Sequence, residues 1–176
     1  MTTRSRTATC IIATLGLLFC LASSVAAQDS SKTPMPNNKD VLMTGHASGT
    51  FEVKVVPQRA ADPSKPAVVS QMTIDKQFHG GLDGTSRVEM LTAGTDVKGS
   101  AVYVAIEQFT GTLAGRKGSF LLHHTGIMTR GAPQLTVSVV PDSGTGQLVG
   151  LTGEMNIIIA DGKHSYDFAY TLPETH

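Results

Sequence analysis

The dipeptide Asp161-Gly162 constrains the fold most, because it lies between two runs of alternating apolar and polar residues. Asp-Gly favours a two-residue β-turn in which both residues have positive φ, and that turn joins adjacent antiparallel strands. The turn fixes which residues of the two strands face each other. The predicted pairs are Ile159 with His164, Ile157 with Tyr166, and Met155 with Phe168.

This register separates apolar from polar side chains, since alternate residues of a strand point to opposite faces. One predicted face carries Met155, Ile157, Ile159, Tyr166, Phe168 and Tyr170. The other face carries Glu154, Asn156, Ser165 and Asp167, with Ile158 as the exception. Such a division is typical of an antiparallel sheet with one buried face.

The same alternation recurs from Val41 onward, and no stretch has helical periodicity over three turns. Eight strands are predicted, near residues 44–56, 68–78, 86–92, 100–109, 118–125, 135–140, 155–160 and 163–172. Residues 41–176 are therefore expected to form a single all-β domain. Hairpin connections and frequent glycines favour an eight-stranded antiparallel closed barrel, because closure removes exposed edges; a two-sheet β-sandwich is the alternative.

Residues 1–27 have the three parts of a cleavable export signal. Arg4 and Arg6 supply positive charge, residues 11–22 are an uncharged apolar run, and residues 25–27 (Val-Ala-Ala) are a small-residue cleavage site. The apolar run is too short for a membrane span, which needs about 20 residues. The protein is therefore expected to be exported, to the periplasm or the extracellular space, without an integral membrane segment in the mature chain.

The mature chain is expected to begin near Gln28 with a flexible polar leader over residues 28–40. Both cysteines, Cys10 and Cys20, precede it, so the mature domain is expected to have neither a disulfide nor a reactive thiol. Cys20 also permits a lipid anchor. Phe19 argues against that alternative, because lipid-anchor processing prefers a small residue before the cysteine.

Charge excludes one class of partner. The net charge of the whole chain is 0, and it becomes −2 after cleavage because Arg4 and Arg6 are lost and no acidic residue is. So mild a charge does not indicate nucleic acid as a partner. The sequence leaves a homo-oligomer open.

Nucleotide-binding, nucleophile-elbow and metal-ligand patterns are missing from the sequence. The glycine-rich segments at 111–119 and 144–150 lack the spacing of phosphate loops and are interpreted as turns. Residues 141–144 (Pro-Asp-Ser-Gly) are predicted to be a turn, because proline presets the backbone and Gly144 tolerates the left-handed conformation. The six histidines are not spaced as ligands. Neither a cofactor nor a metal ion is therefore expected, and whether the protein is an enzyme stays open.

The fourth and fifth strands bring a carboxylate and an imidazole together. A turn centred on Gly115-Arg116 places Glu107 opposite His124 and Phe109 beside Leu122. If this face is the interior, the pair is a candidate acid–base couple, and Tyr103 is a candidate for orienting a ligand. The alternative is a buried pair that satisfies only itself, and a one-residue bulge would send the two to opposite faces.

The segments EQFTGTLAGRKGSFLLHHTG and VVPDSGTGQLVGLTG carry a family resemblance. They resemble the signature stretches of the bacterial domain-of-unknown-function 3224 family, which is grouped with the allene oxide cyclase-like barrels. The resemblance covers about residues 45–172 and implies an eight-stranded antiparallel barrel with no assigned activity. Glu107, Phe120 and His124 match the family pattern, whereas Asp142 and His123 stand where glycine and glutamine are common.

Three functions remain in competition. The first is binding of a small hydrophobic ligand, with eight candidate contact residues on the inner face: Phe109, Phe120, Leu122, Met155, Ile157, Tyr166, Phe168 and Tyr170. The second is a cofactor-free isomerase or cyclase that uses the Glu107–His124 pair and Tyr103. The third is a non-catalytic interaction module of the cell envelope.

Overall fold

The computed structural model describes residues 42–59 and 68–174. The predicted signal peptide (1–27) and leader (28–40) lie outside the described residues, and both stay predictions. Within the described part, no helix is long and apolar enough to cross a membrane.

In the described residues, eight strands form one sheet in which each strand pairs antiparallel with the next. They are β1 (Leu42–Arg59), β2 (Val68–Gly80), β3 (Leu82–Gly94), β4 (Ala101–Leu113), β5 (Arg116–Thr129), β6 (Ala132–Val139), β7 (Thr152–Ala160) and β8 (Lys163–Pro173). Because β8 also pairs with β1, the sheet closes into a barrel. The predicted barrel is confirmed and the sandwich is wrong.

The β7–β8 hairpin has the predicted register, with Ile157 opposite Tyr166 and Met155 opposite Phe168. Asp161 and Gly162 have φ angles of 52° and 72°, as the two-residue turn requires. Two further hairpins turn in the same way, at Ala114-Gly115 and at Arg130-Gly131.

The turn between β4 and β5 is therefore centred on Ala114-Gly115, and the predicted centre at Gly115-Arg116 is wrong. Glu107 lies opposite Leu122 rather than opposite His124, and Phe109 lies opposite Phe120 rather than beside Leu122. The shift is two residues along the partner strand, so every side chain stays on its predicted face.

Aromatic side chains fill one end of the barrel. Neighbouring rings lie 5.0–5.9 Å apart in a continuous series: Phe51, Phe78, Phe109, Phe120, Phe168 and Tyr170. Leucines from β3, β4 and the β6–β7 connection complete this closed end: Leu82, Leu113, Leu148 and Leu151. Half of the bore is therefore a packed core.

A single hydroxyl ties two hairpins together at this end. Tyr166 projects from β8 into the core, and its oxygen accepts the Leu82 N–H at 2.7 Å. The same hydroxyl lies 3.2 Å from the carbonyl oxygen of His79. Tyr166 thus satisfies buried backbone groups at the β2–β3 turn, which a leucine or phenylalanine would leave without a partner.

The connection between β6 and β7 substitutes for a strand along the first half of β5. Side chains of Ser143, Thr145 and Gln147 accept backbone N–H groups of β5 residues Leu121, Ser119 and Lys117. The turn before them spans residues 140–143, because the Ser143 N–H donates to the Val140 carbonyl at 3.2 Å. Asp142, rather than Gly144, takes the left-handed conformation there, at φ 59°. The second signature segment, VVPDSGTGQLVGLTG, therefore has a structural role, because it supplies hydrogen-bond acceptors to β5.

Strands β6 and β7 share a single paired position, Ser138 with Glu154. Every other neighbouring pair of strands shares at least eight. The barrel is therefore closed by seven long strand pairings and one narrow seam.

Candidate functional site

Four adjacent strands each contribute one polar side chain to the barrel interior. Lys76 (β2), Ser86 (β3), Glu107 (β4) and His124 (β5) are all buried, at the point where the aromatic core ends. Each occupies an inward position of its strand, because strand side chains alternate between the two faces. The four form one cluster at mid-barrel, and we call it the polar cluster.

Glu107 is the centre of the polar cluster and is 0% exposed. Its Oε2 accepts Lys76 Nζ–H at 2.6 Å, and its Oε1 accepts the Ser86 hydroxyl at 2.5 Å. His124 Nε2 lies 2.9 Å from the same Oε2. The ring N–H of His124 is not aligned with that oxygen, so Nε2 has no aligned hydrogen-bond partner among the described residues.

The carboxylate of Glu107 is held ionised. Burial by itself would raise the pKa of Glu107, but the adjacent imidazole of His124 and ammonium of Lys76 outweigh burial and lower it to about 2. A carboxylate with so low a pKa is a weak base near neutral pH. Glu107 is therefore suited to holding Lys76 and His124 in place rather than to exchanging protons.

Lys76 is one of two residues of the polar cluster that sequence reasoning missed. Its ammonium lies 4.9 Å from the centre of the Phe51 ring and 5.7 Å from that of Phe78, within cation–π range. The signal was in the sequence, because Lys76 is two residues from Phe78 and must share its face. Ser86 was missed as well, and its residue type alone gives no comparable signal.

A pocket of about 200 Å³ occupies the other end of the bore, above the polar cluster. Lys76 and His124 line its floor, and Val88, Tyr103 and Ala105 line its wall. Exposed aliphatic side chains form its rim: Val53, Val55, Leu135 and Ile159. The pocket is thus apolar except at the floor, at Tyr103 and at His164.

Tyr103 is half-buried, and its ring packs directly over Gly126 on β5, where any side chain would collide with it. Burial, and secondly the charge of Glu107, raise the pKa of Tyr103 above its ordinary value. Its hydroxyl therefore stays protonated at neutral pH and is a hydrogen-bond donor beside the pocket.

The predicted site residues divide between the two ends of the barrel. Glu107 and His124 contact each other, and Tyr103 lines the pocket. Among the predicted ligand contacts, Ile157 lines the pocket. The other seven belong to the packed core: Phe109, Phe120, Leu122, Met155, Tyr166, Phe168 and Tyr170. In the described part of the chain, no three His, Cys, Asp or Glu side chains are grouped as metal ligands.

Comparison with known proteins identifies the family. Residues 47–170, more than half of the chain, match a family described as a protein of unknown function, DUF3224. The chain belongs to the DUF3224 family. A crystal structure of a DUF3224 protein of unknown function from Shewanella oneidensis MR-1 is 46% identical and superposes with a TM-score of 0.70, covering 76% of this chain and all of that one.

No curated protein matches the chain, so no activity passes to this DUF3224 barrel from a characterised relative. Membership of the allene oxide cyclase-like group is not tested by these comparisons and stays a prediction. All four residues of the polar cluster lie within the part of the chain that matches DUF3224.

Proposed function

We propose that this DUF3224 protein is exported and binds a small, mainly hydrophobic molecule in the open end of its barrel. The observation that carries the proposal is the pocket of about 200 Å³ with an apolar wall and two polar side chains, Lys76 and His124, converging on its floor. Ligand sites in proteins typically combine an apolar lining with a few convergent polar groups.

The size of the pocket limits the ligand. An engineered cavity of about 150 Å³ lined by apolar side chains binds benzene. A pocket of about 200 Å³ therefore suits a molecule with one ring and a short substituent. A long-chain lipid would extend beyond the rim.

The burial and the low pKa of Glu107 favour ligand binding over catalysis as the function of the site. A general acid or base must reach the reacting atom, and its pKa is best placed near the operating pH. Glu107 is fully buried beneath the floor, both of its oxygens have partners, and its pKa is about 2. His124, which does line the pocket, is the remaining candidate for proton transfer in the isomerase alternative.

Binding is tested with a neutral one-ring probe, ethylbenzene, by two-dimensional amide NMR. Chemical-shift changes are expected around Ala105, His124 and Ile157, which line the pocket. Ala105→Phe fills the pocket and should abolish these changes. Val104→Phe adds the same ring on the outer face of the same strand, where Val104 is exposed, and should leave them intact. Equal responses of the two variants would refute binding in the bore.

Export is tested on the full-length chain in a bacterial host. Mass spectrometry of the periplasmic fraction is expected to show a mature protein that begins near Gln28. An uncleaved chain confined to the cytoplasm would contradict this part of the proposal.

The outer wall favours a second candidate, an interaction module that self-associates. Six aliphatic side chains on neighbouring strands are roughly half exposed there: Val69, Leu91, Val102, Val104, Ile106 and Ile127. Leu91 lies opposite Val104, and Val102 lies opposite Ile127, so the patch is continuous. Analytical ultracentrifugation should then show a dimer that Val104→Asp dissociates; a monomer throughout would remove this candidate.

A further inference from the structure

We propose that the pocket selects ligands that carry a carboxylate, which binds Lys76 and His124 while the apolar remainder fills the open end. The proposal rests on the ligand-binding function argued above, and it adds the chemical class of the ligand.

The floor offers hydrogen-bond donors. Lys76 has three N–H groups and no acceptor, and one of the three is used by Glu107. The Nε2 atom of His124 is buried 2.9 Å from Glu107 Oε2, and it has no aligned hydrogen-bond partner among the described residues. Tyr103 adds a protonated hydroxyl at the wall. A ligand that satisfies these groups must bring acceptor oxygens.

The acidic member of the polar cluster does not compete at the pocket surface. Glu107 is 0% exposed, and its two oxygens accept from Ser86 and Lys76. It anchors Lys76 from below, and Lys76 lines the floor of the pocket. A cationic ligand would therefore meet Lys76 before any carboxylate.

Charge distinguishes a carboxylate from a neutral acceptor. Lys76 lines the floor, whereas its counter-charge, Glu107, is 0% exposed beneath it. A hydrogen bond between an ammonium and a carboxylate is about twice as strong as one between neutral groups. Binding of an acid should therefore be tighter than binding of an alcohol.

The test compares three probes of equal size that differ in their head group: 3-phenylpropanoate, 3-phenylpropanol and 3-phenylpropylamine. We expect isothermal titration calorimetry near neutral pH to show the acid binding at least about tenfold more tightly than the alcohol, and the amine binding most weakly.

Three variants assign the preference. Lys76→Met/Glu107→Gln removes both charges without leaving either one buried alone, and it should bring the affinities for acid and alcohol within a few-fold of each other. His124→Gln should reduce the advantage of the acid, and it serves if the double variant fails to fold. Lys54→Met, on the exposed face of β1, is the matched control and should keep the full preference.

The outcomes separate the two proposals. If the acid and the alcohol bind equally well to the native protein, carboxylate selection is refuted and ligand binding stands. If none of the three probes binds, carboxylate selection is refuted, and ligand binding fails as well if ethylbenzene also gives no shifts.

Discussion

Glu107 stabilises the folded barrel only while its carboxylate is ionised, and the double variant Lys76→Met/Glu107→Gln isolates that contribution. The pKa of Glu107 is about 2 in the folded protein, against an ordinary value of 4.5. At about 1.4 kcal/mol per pKa unit, the difference corresponds to about 3 kcal/mol of stability. Solvent does not screen this interaction, because Glu107 is 0% exposed.

The sign follows from the direction of the shift. Since the pKa is lower in the folded state than in the unfolded state, the contribution is complete above about pH 4.5 and is lost as the pH falls toward 2. About 3 kcal/mol at about pH 5 should become about 1 kcal/mol at about pH 3. The double variant lacks this carboxylate and therefore lacks this part of the acid dependence.

Urea unfolding followed by far-ultraviolet circular dichroism measures the free energy of unfolding at each pH. The difference between native protein and double variant should fall by about 2 kcal/mol between about pH 5 and about pH 3. The other carboxylates are common to both proteins and cancel. Glu89→Gln, which removes an exposed carboxylate paired with Arg87, should parallel the native protein. A difference that stays constant across this range would refute the reasoning.

Three further substitutions test the structural role of single side chains. Tyr166→Phe leaves the buried Leu82 N–H without its acceptor and should lower the free energy of unfolding by about 1–3 kcal/mol in urea titrations. Asp142→Gly relieves the backbone strain of a left-handed residue at φ 59°. It should raise the free energy of unfolding by about 0.5–1 kcal/mol, and the melting temperature should rise with it. Thr145→Val removes the acceptor of the Ser119 N–H, and hydrogen exchange at that amide should become faster.

Each of these three substitutions has a matched control. Tyr170→Phe removes a hydroxyl that makes no hydrogen bond with a described residue, and it should cost less than Tyr166→Phe. Asp96→Gly, at a residue without positive φ, should give no gain in melting temperature. Thr136→Val, on the exposed face of β6, should leave exchange at Ser119 unchanged. A control that matches its test variant contradicts the role assigned to that residue.

The strand pattern could be predicted because period-two alternation survives small errors of register. The dipeptide Asp161-Gly162 predicts its turn, since aspartate and glycine both tolerate positive φ. Ala114-Gly115 and Arg130-Gly131 make the same turn, but in each of them only the glycine is a residue typical of positive φ. The β4–β5 register was therefore misplaced by two residues, and Glu107 and His124 nevertheless stay on the inner face.

The division of the bore into a packed end and an open end could not be predicted from the list of inward residues. Whether a stretch of barrel is solid depends on how much side-chain volume enters each layer, and part of it comes from outside the strands. Leu148 and Leu151, in the connection between β6 and β7, pack into the closed end. Alternation says which side chains point inward, but not how far a distant loop reaches.

The single pairing of Ser138 with Glu154 has a consequence for assembly. If thermal motion parts this seam, β6 and β7 become two free edges of an open eight-stranded sheet, each presenting unpaired backbone groups. An edge of that kind is completed by the opposite edge of a second opened copy, which exchanges strands between molecules. Under mild acid or heat, domain-swapped dimers joined along β6 and β7 are therefore expected before global unfolding. Barrels are usually protected from such pairing, and in this one the strand pairing between β6 and β7 that gives the protection is a single pair of residues.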